Sequence, residues 1–300
     1  MTAAVIETDA LTKRYGRARG SDEVSMTVEP GEVFGFLGPN GAGKTTTIRT
    51  LLDLQRPTSG GASVFGLDSH RDSVDIHARV GNLPGEFAAD PRLTGRELVT
   101  FLAAIRGVRG LGRATALAQR FEADVDRPLG ELSRGNRQKI GLIQAAFHSP
   151  DLLLLDEPTS GLDPLMQEEF LAFLAEERDR GVTVFLSSHE LDEVERACDR
   201  VGIIRDGRLI AVEHIADITG RGFRHVTLEF AEPVDPSEFA ALPGVTELEQ
   251  QASRLTFKAS GDLDRVIKLA ARHTLTDIEL VRPTLEEIFL TYYGRNGGGS

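Results

Sequence analysis

"GPNGAGKT", residues 38–45, lies between the apolar stretch "EVFGFL" and a segment with helical periodicity, "TTTIRTLLDL". The eight residues fit G-x-x-x-x-G-K-[ST], the phosphate-binding loop that joins a strand to a helix. Its glycines let backbone N–H groups surround phosphate oxygens, and the following helix adds the positive end of its dipole. Lys44 can reach the β- and γ-phosphates, and the Thr45 hydroxyl can ligate Mg²⁺. An ordinary glycine-rich turn is the alternative, but the flanking strand and helix favour a phosphate site.

A second segment, "DLLLLDEPTSGLD" at 151–163, supplies two carboxylates. Four consecutive leucines predict a strand that is buried on both faces, as in a parallel sheet. Asp156 and Glu157 end this strand, where α/β proteins bind their ligands. We therefore predict that Asp156 holds Mg²⁺, directly or through water, and that Glu157 polarises an attacking water. The alternative is a pair of solvated acids at a strand end.

A third apolar strand, "VTVFLSS", is followed by His189 and a helix-like segment, "ELDEVERACD". A histidine at a strand end can contact a γ-phosphate, although a lone histidine is more often structural. Cys198, the only cysteine, is predicted to lie within the helix and to serve packing or surface rather than chemistry. A single cysteine excludes an internal disulfide and a cysteine-based zinc cluster.

The overall composition limits the class of protein. The chain has 300 residues, of which 40% are hydrophobic, and this is enough for a packed core. Its net charge of -12 argues against bulk electrostatic attraction to nucleic acid, so no nucleic-acid partner is expected. The start has no secretory-signal pattern, and the apolar runs are far shorter than the roughly 18–20 residues that span a bilayer. We therefore expect a soluble chain.

Across about residues 4–215, the ordered motifs resemble one family, the nucleotide-binding subunits of ATP-binding cassette (ABC) transporters. Besides the phosphate loop, "ELSRGNRQKIGL" resembles the signature segment, "LLLLDEP" with "TSGLD" the magnesium strand and its loop, and "SSHEL" the switch-histidine loop. Tyr15, in "LTKRYG", resembles the aromatic residue that stacks on adenine. The resemblance implies a P-loop α/β cassette with a helical insert, which binds and hydrolyses Mg-ATP.

The resemblance also assigns roles position by position. It implies a head-to-tail dimer, most simply a homodimer, with two ATP molecules between the subunits. Asp163 would lie near the dimer interface, and Glu157 and His189 would be catalytic, with Thr45 and Asp156 at the metal. The residues expected to bind ATP within one subunit are Tyr15, Gly38, Pro39, Asn40, Gly41, Ala42, Gly43, Lys44, Thr45 and Thr46. Those expected to contact the ATP of the other subunit are Ser133, Gly135 and Asn136.

Two segments depart from the family pattern. The usual signature core is Leu-Ser-Gly-Gly-Gln, whereas this chain has "LSRGN" at 132–136, which keeps the serine and the second glycine. Gly85 and Glu86 stand at or near the place of a glutamine that usually serves the metal, and a glycine has no side chain to ligate it. Glu86 is a docking contact for the membrane subunit, a solvated loop acid or a metal ligand. We favour docking, because a carboxylate one residue further along a loop points in a different direction from the glutamine side chain that it would replace.

The sequence predicts three regions. Residues 1–220 form the cassette, with a helical insert at about 86–145 in which Thr94 and Glu97 fit a helix-capping box. Residues 221–293 read as β-α-β-β-α-β, the split ferredoxin-like pattern, followed by a helix in "RPTLEEIFLTYY". Residues 294–300 are expected to be a flexible tail or linker. We predict for 221–293 a packing or dimerising role, with a regulatory ligand site as the alternative.

The leading functional hypothesis is an ATPase motor for a membrane exporter, since "PTLEEIF" resembles the end of drug- and polysaccharide-type exporter ATPases. The transmembrane permease would be a separate polypeptide, and this chain would be cytoplasmic, bound through it to the inner face of the membrane. The cargo is expected to be a drug or a lipid-like molecule. The alternatives are an importer ATPase and a soluble ABC protein that acts on ribosomes or DNA.

Overall fold

A computed structural model of the chain describes residues 3–16, 18–221, 223–261 and 263–282. The chain divides into two compact units, Met1–His214 and Ile215–Ser300, a few residues before the boundary that the sequence indicates. The predicted final helix and the tail lie outside the described residues. In the part of the chain that is described, no helix has the length and apolarity needed to cross a membrane.

The first unit contains two sheets and several helices. Its strands are β1 (Ile6–Tyr15), β2 (Ala18–Val28), β3 (Val33–Leu37), β4 (Ser59–Val64), β5 (Leu67–Asp68), β6 (Val80–Leu83), β7 (Leu152–Asp156), β8 (Thr183–Ser188), β9 (Arg200–Arg205) and β10 (Arg208–His214). Its helices are α1 (Lys44–Leu51), α2 (Ser73–Arg79), α3 (Gly95–Arg106), α4 (Gly112–Arg120), α5 (Arg134–Ala146), α6 (Pro164–Asp179) and α7 (Leu191–Ala197), with a 3₁₀ turn at Leu129–Glu131.

The central sheet has the strand order β10-β9-β3-β8-β7-β6. All neighbours are parallel except β10, which returns antiparallel to β9. Every residue of β3, β7 and β8 is buried, because helices cover both faces of a parallel sheet. This burial explains the uninterrupted apolar runs and confirms the three strands that the sequence predicts. The parallel strand order places the carboxyl ends of β3, β8 and β7 side by side.

A second, antiparallel sheet has the order β2-β1-β4-β5. The main core includes buried side chains from this sheet, from α1 and from the central sheet. At its centre, the ring centroids of Phe34 and Phe185 are 5.7 Å apart and those of Phe36 and Phe185 are 5.4 Å apart. Helix α1, which follows the phosphate loop, is therefore held from two sides.

The helices between β6 and β7 form the expected insert. Thr94 and Glu97 make the predicted capping box at the start of α3, with each side chain bonded to the other residue's backbone N–H. Helix α7 ends at Ala197, so the prediction that Cys198 lies within it is wrong by one residue. Cys198 is buried, and a Cβ on Gly35 of β3 would lie 2.8 Å from its sulfur. The glycine thus lets this segment approach the sheet closely.

The second unit contains α8 (Ile215–Arg221), β11 (Arg224–Phe230), α9 (Pro236–Ala240), β12 (Val245–Gln251), β13 (Arg254–Ala259), α10 (Asp264–Ala270) and β14 (Leu275–Val281). Its antiparallel sheet has the order β12-β13-β11-β14. This order, with the two helices in their places, confirms the β-α-β-β-α-β pattern. Phe230, Phe239 and Phe257 pack in its own core, so the unit has the separate interior expected of a small domain.

Candidate functional site: a phosphate-binding cleft at the sheet edge

The phosphate loop follows β3 and leads into α1. Gly43 precedes the helix with φ 108, a left-handed conformation that favours glycine. A Cβ at Gly43 would also lie 2.1 Å from the carbonyl oxygen of Gly20, so no side chain fits there. The N–H of Gly38 donates to the carbonyl of Ser188 at 3.2 Å, and the N–H of Gly207 donates to that of Ala42 at 3.0 Å. The loop is therefore hydrogen-bonded to the end of β8 and to the turn between β9 and β10.

Lys44 is the first residue of α1, and its side chain is 5% exposed. Its Nζ donates to the carbonyl of Gly38 at 2.6 Å and lies 3.1 Å from Oε1 of Glu157. The ammonium is thus fixed inside the loop, where phosphate oxygens would be surrounded by N–H groups.

An open cavity of about 320 Å³ adjoins this loop. Tyr15 lies at its edge, 48% exposed, and its hydroxyl donates to the side-chain oxygen of Gln55. An exposed, oriented ring of this kind can stack on a flat base. The residues that line the cavity are Tyr15, Gly20, Asn40, Gly41, Gly43, Lys44, Thr45, Thr46 and Glu157.

Asp156 is buried at the end of β7, beside the first turn of α1. The Thr45 hydroxyl donates to its Oδ2 at 2.7 Å, and the Ser187 hydroxyl donates to its Oδ1. Mg²⁺ in phosphate-transfer sites is held by one or two protein oxygens together with phosphates and water. A hydroxyl and a carboxylate in contact fit that requirement. Among the described residues, no group of three or more His, Cys, Asp or Glu side chains could form a metal cage.

Glu157 and His189 meet at the same edge of the sheet. Nδ1 of His189 lies 2.6 Å from Oε2 of Glu157, so the imidazole N–H donates a hydrogen bond to the carboxylate. Glu157 has φ 51, and Gln138 of α5 donates to its carbonyl at 3.1 Å. The N–H of Glu157 donates to the carbonyl of Ser187 at 3.1 Å. The carboxylate is therefore held between a lysine and a histidine, with its backbone fixed on both sides.

The segment after β6 places Gly85 directly against Asp156. A Cβ at position 85 would lie 3.1 Å from Oδ2 of Asp156. Glu86 is exposed, and among the described residues no hydrogen bond or ion pair holds its side chain. Position 85 is thus beside the candidate metal ligand, whereas Glu86 faces solvent.

The signature residues lie apart from this cavity, because its described lining includes none of them. Ser133 caps α5 and accepts the N–H of Asn136 at 3.2 Å, and the side-chain oxygen of Asn136 accepts the N–H of Asp124. A Cβ on Gly135 would lie 2.5 Å from the carbonyl of Gly161. Asp163 is exposed and caps α6 by accepting the N–H of Met166. The predicted trans residues therefore form a second surface on the same chain.

Sequence reasoning missed three contributors to the cleft. Gly20 faces Gly43 only because β2 folds over the loop, and no local pattern marks it. Ser187 resembles any small residue in a buried strand, and only its register beside Asp156 gives it a role. Gln138 could have been noticed in the sequence as a polar residue on the apolar side of α5. In the structure it is 5% exposed.

The loop, the buried acid and the strand order define a P-loop nucleoside triphosphatase. The profile of the ABC transporter family matches residues 21–160, and that of the ATP-binding protein DrrA1-3-like, C-terminal domain, matches residues 220–293.

Similar proteins agree with this class. The bacitracin transport ATP-binding protein BcrA of Bacillus licheniformis is 38% identical over 214 residues, 69% of each chain. The daunorubicin resistance ATP-binding protein DrrA2 of Streptomyces coeruleorubidus is 35% identical over 316 residues, 98% of this chain and 96% of that protein. The dimeric structure of MJ0796, a bacterial ABC transporter cassette, superposes with a TM-score of 0.65 at 23% identity. It covers 70% of this chain and 98% of that one, and supports the fold alone. The chain belongs to the family of ABC transporter ATP-binding proteins.

Proposed function

We propose that this chain is the ATPase motor subunit of a membrane exporter, with a drug or a lipid-like molecule as cargo. The observation that carries the ATPase assignment is the meeting of Lys44, Asp156 and Glu157 at the carboxyl edge of the central sheet. The exporter assignment rests on the relatives, which are named for bacitracin transport and daunorubicin resistance. The second relative, like this chain, extends beyond the cassette.

ATP is bound by backbone and side chains together. The loop N–H groups and the Lys44 ammonium take the phosphates, while Tyr15 offers its exposed ring to the adenine. Thr45 and Asp156 would hold Mg²⁺, which would neutralise phosphate charge. In hydrolysis, Glu157 orients and polarises the attacking water, and His189 holds the second oxygen of that carboxylate in place.

Two subunits complete each site in the proposed arrangement. Ser133, Gly135 and Asn136 lie outside the cavity of their own chain, so they are available to the ATP of a partner chain. The exposed N-terminus of α5 suits that role, because its unsatisfied N–H groups attract anions. Asp163 lies on the loop that would face the partner. A second copy of this chain is the simplest partner.

The motor acts on a separate transmembrane permease and is cytoplasmic, attached through it to the inner face of the membrane. Glu86 is proposed as a docking contact with that permease, since it is exposed and points away from the position next to Asp156. We propose no nucleic-acid partner. The second unit, 215–300, is proposed to support packing or dimerisation, since the phosphate-handling residues named above all precede it.

A paired experiment tests the ATPase assignment. Glu157→Gln keeps the shape of the side chain but loses the base, so it should bind ATP, hardly hydrolyse it and accumulate a closed dimer with ATP and Mg²⁺. Lys44→Ala should lose tight ATP binding, because the charge that pairs with the phosphates is removed. Size-exclusion chromatography measures the accumulation of the closed dimer, and phosphate release measures ATP hydrolysis by each variant. Hydrolysis at the wild-type rate by either variant contradicts the proposal.

A further inference from the structure

Glu193, in the first turn of α7, is a buried carboxyl that the proposed reaction does not use. Glu193 is 6% exposed. Oε2 accepts a hydrogen bond from the Ser188 hydroxyl at 2.5 Å, whereas Oε1 is buried and accepts none from the described residues. No lysine or arginine forms an ion pair with it within the described ranges. A buried carboxyl with so few partners destabilises the fold when it is charged.

Ser188 connects this carboxyl to the cleft. It ends β8 and is fully buried, and its carbonyl accepts the N–H of Gly38 at 3.2 Å. Its hydroxyl oxygen accepts the N–H of Glu190 at 3.0 Å, which closes the turn around His189. His189 in turn lies 2.6 Å from Glu157. Ser188 therefore links the phosphate loop through its carbonyl, and the His189 turn and the carboxyl of Glu193 through its hydroxyl.

The other side of Glu193 faces the loop that follows Glu157. Thr159 is buried there, and its hydroxyl lowers the pKa of Glu193 by favouring the charged form of the carboxyl. Oε1 of Glu193 nevertheless has no hydrogen-bond partner among the described residues. The carbonyl of Thr159 accepts the N–H of Leu162, in the turn that precedes Asp163. Glu193 thus lies between the His189 turn and the loop that leads to the proposed dimer surface.

We propose that Glu193 is a positioning residue of the hydrolysis site, which fixes the His189 turn against Glu157 by holding the Ser188 hydroxyl. This inference rests on the proposed ATPase function. It adds a residue that acts through others, because Glu193 is not among the described residues that line the cavity.

The surroundings of Glu193 make its charge sensitive to pH. Burial, together with the negative charges of Glu190 and Glu157, raises its pKa to about 7, against the opposing effect of the Ser188 and Thr159 hydroxyls. Asp192 and Arg196 line the same small cavity, and Arg196 is paired with Glu168. Cys198 lies nearby, and burial raises the pKa of its thiol. The ionised carboxylate accepts the stronger hydrogen bond from Ser188, so positioning should improve as pH rises through about 7.

The test uses the full chain with three variants: Glu193→Ala, Glu193→Gln and, as a matched control, Asp192→Asn. The control removes a negative charge from the same helical turn at a side chain that is 84% exposed. Steady-state ATPase activity is measured from about pH 6 to about pH 8.5, where Glu193 titrates. Nucleotide binding is measured separately by equilibrium titration with ATP.

We expect Glu193→Ala to lower kcat by about tenfold at the higher pH while KM for ATP changes little, because a small misplacement affects the reaction more than binding. Glu193→Gln should lose the rise of kcat near pH 7 and stay at the low-pH value. Asp192→Asn should match wild type.

A rise in kcat near pH 7 that persists in Glu193→Gln overturns the proposal, as does a loss of ATP binding equal to the loss of kcat. The glutamine variant decides even if the alanine variant fails to fold. A wild-type chain that does not hydrolyse ATP overturns the ATPase function as well, whereas normal Glu193 variants in an active, Glu157-dependent enzyme overturn only this inference.

Discussion

Replacing Glu193 by glutamine should change how the stability of the protein depends on pH. The pKa of this carboxyl is raised from its ordinary 4.5 to about 7, chiefly by burial. Between these two values the folded chain holds a proton that the unfolded chain has released, so the carboxyl makes the fold less stable as pH rises. The difference corresponds to about 3 kcal/mol, complete above about pH 7. The amide of glutamine has nearly the same shape and carries no charge at any pH.

The free energies of unfolding of wild type and Glu193→Gln should therefore agree at about pH 4.5 and diverge as pH rises. At about pH 8 the variant should be more stable by up to 3 kcal/mol, roughly, with part of this gain lost to imperfect hydrogen bonding of the amide. Urea denaturation at a series of pH values, followed by circular dichroism, measures the difference. Asp192→Asn serves again as the control and should show no such divergence. A constant difference between wild type and Glu193→Gln across this range would refute the reasoning.

Three further predictions concern other parts of the chain. Gly43→Ala should weaken ATP binding at least tenfold, because its Cβ would meet the Gly20 carbonyl at 2.1 Å; isothermal titration measures this, and unchanged affinity contradicts the loop geometry. His148→Gln should lose less stability than wild type as pH falls from about 6.5 to 4. Burial and the charge of Arg106 lower the pKa of His148 to about 4, so protonation of this histidine in the wild type opposes folding. Acid titration followed by fluorescence or circular dichroism tests the sign. Glu86→Ala should leave basal ATPase activity and its Mg²⁺ requirement unchanged and impair only coupling to the permease; a higher Mg²⁺ requirement in the isolated chain would assign Glu86 to the metal instead.

Much of the fold could be predicted because its signals are local. The apolar runs of β3, β7 and β8 reflect burial on both faces, and the phosphate loop carries its own backbone requirements in its glycines. The alternating strands of the second unit likewise gave its order of elements. These features depend on neighbours in the chain, so a single sequence contains them.

The missed features depend on residues that are distant in sequence. Gly20 matters because its carbonyl occupies the space beside Gly43, and Ser187 because its register places it against Asp156. The importance of Glu193 could not be predicted, since the four acids in "ELDEVER" look alike until the fold buries one of them. The prediction for Cys198 failed at the helix boundary, where its extended backbone ends the helix although the periodicity would continue it.

The ion pair between Lys44 and Glu157 has a consequence for the timing of catalysis. A lysine that is engaged with phosphate cannot remain as closely engaged with the carboxylate at 3.1 Å. Arrival of a triphosphate would then withdraw the cation from one oxygen of Glu157 and leave His189 on the other. The oxygen so released is the one free to accept a proton from water. In the proposed mechanism, Lys44 would therefore mask Glu157 until a triphosphate binds, and the base would become available only when there is a substrate to hydrolyse.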